Sequence, residues 1–131
     1  MIKAVSTCAL LLATLPIAAS LPAPLAAAAK APAPRCGWVV NPTPANWSLI
    51  DREGEWVMGM QGGYQARGLD TMPDLSESRW VVTNGSSYGY GCACMSADVD
   101  RKAKRVVRIR GVRQQSLAIC RADHKLKRPQ G

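Results

Sequence analysis

The chain of 131 residues has no phenylalanine and only one histidine, His124, and no aromatic residue follows Tyr90. Each absence excludes something. With one histidine, a Ser–His–Asp or Cys–His centre would have a single base to draw on. His124 stands among Arg121, Lys125 and Lys127 near the C-terminus, where an exposed surface role is the ordinary one. Without aromatics in its last third, the chain lacks the stacking platforms that single-strand nucleic-acid binders use, so specific nucleic-acid recognition is not expected. Asp51, Glu53 and Glu55 are the nearest approach to the paired acids of glycoside chemistry. They crowd a tight turn, where carboxylates normally face water. Asp98 and Asp100 are too few for a calcium loop. No catalytic residue is expected.

Metal ligands are also sparse. Cys92-x-Cys94 with Met95, Met58, Met60 and His124 offers the soft donors that select Cu(I), but two zinc knuckles of the C-x-x-C kind are missing. Disulfides and core packing account for these residues more simply, so neither metal nor cofactor is expected. A long uninterrupted apolar run is absent too. The stretch after Met1-Ile2-Lys3 is apolar from about Ala4 to Ala19, yet Pro16, Pro22 and Pro24 break it. It falls short of the ~20 continuous apolar residues of a membrane span.

That N-terminal stretch carries the marks of an export signal instead, with a positive start, an apolar centre and small residues for cleavage after Ala28 or Ala29. Residues 1–29 are therefore read as a signal peptide that is removed, leaving no transmembrane segment. Residues 30–35 are an Ala/Pro-rich linker, 36–126 one folded domain, and 127–131 a basic tail. Cys8 comes too early for a lipoprotein. The four remaining cysteines, Cys36, Cys92, Cys94 and Cys120, form an even set, which in an oxidising compartment predicts two disulfides. Cys92 and Cys94 are too close to pair with each other comfortably. Two maps stay open: 36–92 with 94–120, or 36–94 with 92–120. On a strand, residues 92 and 94 share a face, so both sulfurs are expected to look into one core.

The signals within the domain are those of strands and turns, with no convincing helix. Trp47–Asp51 and Glu55–Met60 flank a hairpin turn, Asp51-Arg52-Glu53-Gly54, and Trp56, Met58 and Met60 alternate with Glu55, Val57 and Gly59. Arg79–Thr83 leads into Asn84-Gly85, a strong hairpin signal. Tyr88–Met95 returns with Tyr88, Tyr90, Cys92 and Cys94 on one face and Gly89, Gly91 and Ala93 on the other. A face of Gly and Ala lets a backbone or a ring approach closely. Lys104–Arg110 alternates again, with Val107 and Ile109 opposite Lys104, Arg108 and Arg110. Gln115–Arg121 closes the domain as strand or short helix. The expected fold is mainly β: a small antiparallel sandwich or partly open barrel, stapled by two disulfides.

Charge is uneven. Cys36–Trp80 holds three basic and six acidic residues, Val81–Ala97 none at all, and the stretch from Asp98 onward eleven basic against three acidic. Arg101, Lys102, Lys104, Arg105, Arg108, Arg110 and Arg113 are therefore candidate polyanion-binding residues. The plainer alternative is a solvated strand that resists edge pairing. Tryptophan and tyrosine are favoured where one end of a ring stays wet. Trp38, Trp47, Tyr88 and Tyr90, beside Pro- or Gly-rich segments, are candidate binding residues, whereas Trp56 and Trp80 suit a core. Asn46-Trp47-Ser48 and Asn84-Gly85-Ser86 match the glycosylation sequon, but the short Ala/Leu signal looks bacterial, and neither is expected to be modified.

The stretch Cys36–Asn46, the Gln61-Gly62-Gly63 step, the block Thr83–Cys94 (TNGSSYGYGCAC) and Cys120-Arg121-Ala122-Asp123 together resemble an uncharacterised family of small exported bacterial proteins. That family is a domain of unknown function with these same four cysteines. The resemblance implies one exported domain, periplasmic or secreted, and carries over no catalytic or binding residue. Two functions from different classes fit. The first is a non-enzymatic binding or inhibitor-like module presenting its Gly/Tyr-rich segment to an envelope or extracellular protein. The second is a binder of an envelope polyanion (lipopolysaccharide, phospholipid or DNA) through the basic C-terminal third.

Overall fold

The computed structural model describes residues 31–85 and 87–130, together with Ala23 and residues 25–27. Apart from those last four positions, the segment read as an export signal lies outside the described residues, Cys8 included, as does Ser86 of the second sequon. Six strands and one helix follow in order: β1 (Arg35–Thr43), β2 (Asn46–Asp51), β3 (Gly54–Gly59), β4 (Trp80–Asn84), β5 (Tyr88–Asp100), β6 (Arg105–Gln115) and α1 (Leu117–Ala122). Both predicted turns are present: Asp51 pairs with Gly54 across one hairpin, and Asn84 with Tyr88 across the other.

The sheet order is β1-β2-β3-β6-β5-β4, and β1 also pairs with β5. β1, β2, β3, β6 and β5 thus form a ring, and the partly open barrel is the observed alternative. The ring is antiparallel except between β3 and β6, which run parallel and share one register pair, Val57 with Arg105. This connectivity is that of an OB-type barrel. The parallel seam is too short to close by itself, and the segment after β3 folds back to fill it. Ala66 N–H donates to the Met58 carbonyl at 2.8 Å, Arg67 N–H to Val107 at 3.1 Å, and Ile109 N–H to the Arg67 carbonyl at 2.8 Å. Gly68 follows with φ +85°, and a Cβ there would collide with the Ile109 carbonyl. Only glycine lets the segment lie this close to β6.

Strand alternation sorts the side chains into two cores. Val39, Leu49, Trp56, Met58, Ala93, Met95, Ala97 and Val106 fill the barrel. Small residues on the inner face of β5 leave room for the Trp56 indole, which is fully buried. The bare face of β5 receives a ring further along: a Cβ on Gly91 would sit 2.7 Å from Trp80 Cε3. Trp80 in turn leans on Trp47, with ring centres 6.5 Å apart. The second core lies outside the ring, where Trp38, Val40, Ile50 and Cys92 are covered by Cys120 and Leu126. Ser116 caps α1 by accepting from the Ala118 N–H at 3.3 Å.

The disulfides are Cys36–Cys94 and Cys92–Cys120. The first joins residues directly opposite each other across β1 and β5, with Cα atoms 4.0 Å apart. The second ties α1 to β5. Residues 92 and 94 do share a face, but it is the outer one, because the odd-numbered residues of β5 fill the barrel. Cys92 is buried beneath the C-terminal segment, while Cys36 is exposed. Three further readings change. Arg35, assigned to the linker, opens β1. Met60 lies just past β3 and is 48% exposed. In β6 the inward residues are Val106 and Ile109, not Val107 and Ile109. The register against β5 shifts between Asp98 and Val99, leaving Val107 without a partner and breaking the alternation.

Two outcomes follow from this architecture. Non-reducing peptide mapping should return the 36–94 and 92–120 pairs with no free thiol among the four. Replacing either pair by Ser should lower urea-unfolding stability by about 3–4 kcal/mol, from the loop each bridge closes. Gly91→Ala should displace the Trp80 indole, shifting tryptophan fluorescence and costing about 1–3 kcal/mol. An unchanged spectrum would contradict the stacking.

Candidate functional site

At one end of the barrel, the turn between β2 and β3 brings a carboxylate onto a buried ring. Asp51, 6% exposed, accepts at Oδ1 from Trp56 Nε1 (2.9 Å) and from the Glu53 N–H (2.8 Å). Its Oδ2 takes the Arg35 guanidinium. Arg35 also lies 4.4 Å above the Trp56 ring centre, with the Lys104 ammonium 4.6 Å from the same centre. Cation–π attraction strengthens when the partners are shielded from water. Glu53 pairs with both Arg35 and Arg101. Arg101 and Lys104, expected in a basic tract, thus belong to this cluster, Arg101 through Glu53 and Lys104 through the Trp56 ring and the Glu53 carbonyl. Lys104 is not on a strand but has φ +53° in the turn before β6.

A cleft of about 820 Å³ opens beside the cluster, lined among others by Arg35, Glu53, Asp98, Arg101, Ile119 and Asp123. Its charges are already matched, Arg35 and Arg101 as above, Arg52 with Asp123 at 2.8 Å, and Asp98 with Arg110 at 2.6 Å. The cleft therefore offers no net charge to a ligand. The acids Asp51 and Glu53 are taken up by arginines, and Glu55 is exposed. His124 is exposed just past α1. No group of three or more His, Cys, Asp or Glu among the described residues could hold a metal ion. No described helix is long and apolar enough to cross a membrane.

The outer face of β6 is different. Arg105, Arg108, Arg110 and Arg113 line it, opposite Asp100, Asp98 and Cys94 of β5. On its other side the barrel-closing segment places Arg67 in direct parallel register with Arg108. Asp98, Arg108 and Arg67 thus form a row across three neighbouring backbone segments. Directly opposed like charges destabilise a sheet. Asp98 answers only part of this charge. Its carboxyl is held below the usual range by the Arg110 hydrogen bond first, then by the fields of Arg110, Arg108 and Arg67. Arg110 is pushed up in return. Among the described residues, no carboxylate lies within ion-pair distance of Arg67, Arg105, Arg108 or Arg113. Arg105 stacks 4.6 Å over the Tyr64 ring, whose hydroxyl donates to the Val106 carbonyl at 2.7 Å. Lys102 is exposed in the β5–β6 turn.

The aromatic candidates scatter. Trp38 is 3% exposed, because the outer face of β1 lies beneath the C-terminal segment. Its indole N–H is buried with no partner among the described residues. Tyr90 packs edge-on against it at 5.3 Å, and Tyr88, Tyr90 and Trp47 are half-buried. Sequence reasoning missed Arg67, Arg35 and Tyr64. No local pattern marks Arg67, whose place depends on a pairing 41 positions away in the chain. Its one trace in the sequence is the glycine that follows it.

The pH dependence has a definite sign. Hydrogen bonds from Arg101 to Glu53 and from Arg52 to Asp123, with the field of Arg35 on Glu53, lower both carboxyls in the folded state, as Arg110 lowers Asp98. A lowered folded pKa means the unfolded chain binds protons first. The stabilisation is present above the ordinary values of 4.5 for Glu53 and 3.8 for the aspartates, and is lost as pH falls through the lowered ones. The urea midpoint should therefore drop below about pH 4.5, and Glu53→Gln should flatten the start of that drop. A midpoint that rises on acidification would contradict the ion-pair assignments.

The sequence matches the family described as "Protein of unknown function (DUF4087)" over residues 30–127, and the chain belongs to it. Comparison with curated proteins and with solved structures returns no match.

Proposed function

We propose that this family member is an exported, non-catalytic binding module that engages an anionic polymer of the bacterial envelope through the outer face of β6. The observation that carries the reading is the undercompensated arginine surface: among the described residues, Arg67, Arg105, Arg108 and Arg113 have no carboxylate within ion-pair distance, while Arg35, Arg52 and Arg101 around the cleft do. The two disulfides are compatible with an oxidising compartment, and the apolar N-terminal stretch supplies a route there. A rigid, stapled barrel loses little conformational freedom on binding. Arg105, Arg108 and Arg113 are held on a strand, and Arg67 on a segment hydrogen-bonded to it.

A second reading, a protein partner at the Tyr88–Tyr90 segment, has one observation in its favour. β4 pairs on one side only, and Val82 on it is 52% exposed within a tract that carries no charge. An uncharged edge strand can accept an added strand.

Salt separates the two. Binding of a soluble polyanion should weaken about 50-fold between ~50 and ~200 mM salt if four phosphate contacts form at single-strand-like slope. Arg108→Glu with Arg113→Glu should abolish most of it. Salt-tolerant capture of an envelope protein, unaffected by these changes, would favour the β4 edge and sink the polyanion reading.

A further inference from the structure

Every cation on the β6 face is arginine. Lysines occur instead in the β5–β6 turn and in the C-terminal segment. The distinction matters, because guanidinium is a planar fork of donors suited to bidentate contact, whereas ammonium is a point charge. Diffuse attraction to a polyanion needs only charge and would be served equally by either.

The register of Arg67 and Arg108 adds a geometric condition. Parallel partners project to the same side of a sheet from backbones about 4.8 Å apart. Arg67 is exposed and Arg108 half-buried, and their backbones are locked by the hydrogen bonds at Val107 and Ile109. Gly68 fixes the approach. Arg110, the third guanidinium near Asp98, is occupied by that carboxylate. The two forks left over rise on one side from paired backbone positions, and an anion between them would relieve the repulsion that Asp98 leaves unanswered.

The shape of that anion follows from where its acceptors point. A carboxylate accepts best in its own plane, and one bidentate guanidinium occupies the outer edge of that plane. Two forks rising from neighbouring backbones are better met by a tetrahedral phosphate, whose free oxygens (two on a chain unit, three on a terminal one) accept from directions outside a single plane. We infer that Arg67 and Arg108 form a discrete site for a phosphate group carried on a polymer, with Arg105 and Arg113 meeting the neighbouring groups along β6. Arg105 is suited to this because Tyr64 backs its guanidinium plane and leaves the far side open. The inference rests on the anionic-polymer reading above and sharpens it from a charged surface to a group-specific one.

The test keeps charge constant. Calorimetric binding of long-chain inorganic polyphosphate, and of poly-glutamate at equal charge, is measured for the disulfide-bonded protein and two charge-preserving variants. These are Arg67→Lys with Arg108→Lys, and Arg79→Lys, just before β4, as a control outside β6, with folding checked by circular dichroism. The double variant should bind polyphosphate about tenfold more weakly, one charge-assisted hydrogen bond's worth, with an unchanged salt slope. Wild-type protein should prefer polyphosphate to poly-glutamate, and Arg79→Lys should change nothing. Unchanged polyphosphate affinity in the double lysine variant would overturn the discrete site while leaving the charge-based reading intact. Absence of polyphosphate binding in the wild-type protein would overturn both.

Discussion

The structure depends on β5 being bonded along both edges and stapled at two points. Its residues 89–95 pair with β1 on one side, while on the other its first half pairs with β4 and its second with β6. Both disulfides land on it, one from β1 and one from α1. Its inner face is small in places: Ala93 and Ala97, on either side of Met95, leave volume to Trp56, Met58 and Leu49, while Gly89 and Gly91 let the backbone and Trp80 of β4 lie close. The outer face then carries the sulfurs, and the C-terminal segment covers those of Cys92 and Cys120. Compartment, composition and topology are thus linked through one strand.

Buried charge at the base of the barrel follows from filling it with tryptophan. A buried indole N–H is costly to leave unpaired, and for Trp56 the partner is Asp51. A carboxylate buried to that degree must itself be paired, which brings in Arg35, and Glu53 and Arg101 after it. The network absorbs part of the basic excess of the chain. Part of what remains unabsorbed lies on the outer face of β6, where closing the parallel seam sets a second arginine beside the first. The charged face is therefore a by-product of barrel closure as much as of composition.

Much of this was legible in the sequence, and the exceptions share a cause. The two hairpins, the mainly β class and the four-cysteine set follow from turn residues, alternation and cysteine count, all of them local signals. Alternation failed in β6 because a register shift cancels the period of two beyond Val106, and nothing in the sequence marks where a shift falls. Trp38 resembles a surface aromatic since it lies beside prolines, but Leu126 and Cys120, far along the chain, bury it. Arg67 was passed over for the same reason, as its partner Arg108 belongs to another part of the sequence. The basic tract was visible as composition. Its division into cations paired with an acid, Arg101 and Arg110, and the rest was not, because the acids that decide it, Glu53 and Asp98, come from other elements of the fold.

The most direct measurement of the central claim is residue-resolved: amide chemical-shift mapping of the isotope-labelled, disulfide-bonded protein during titration with polyphosphate. The account predicts that perturbations concentrate on Gln65–Gly68 and Arg105–Arg113, with the Arg67 and Arg108 guanidinium resonances moving most. Shifts centred instead on Tyr88, Tyr90 and β4, or spread evenly over the lysines of the C-terminal tail, would contradict it.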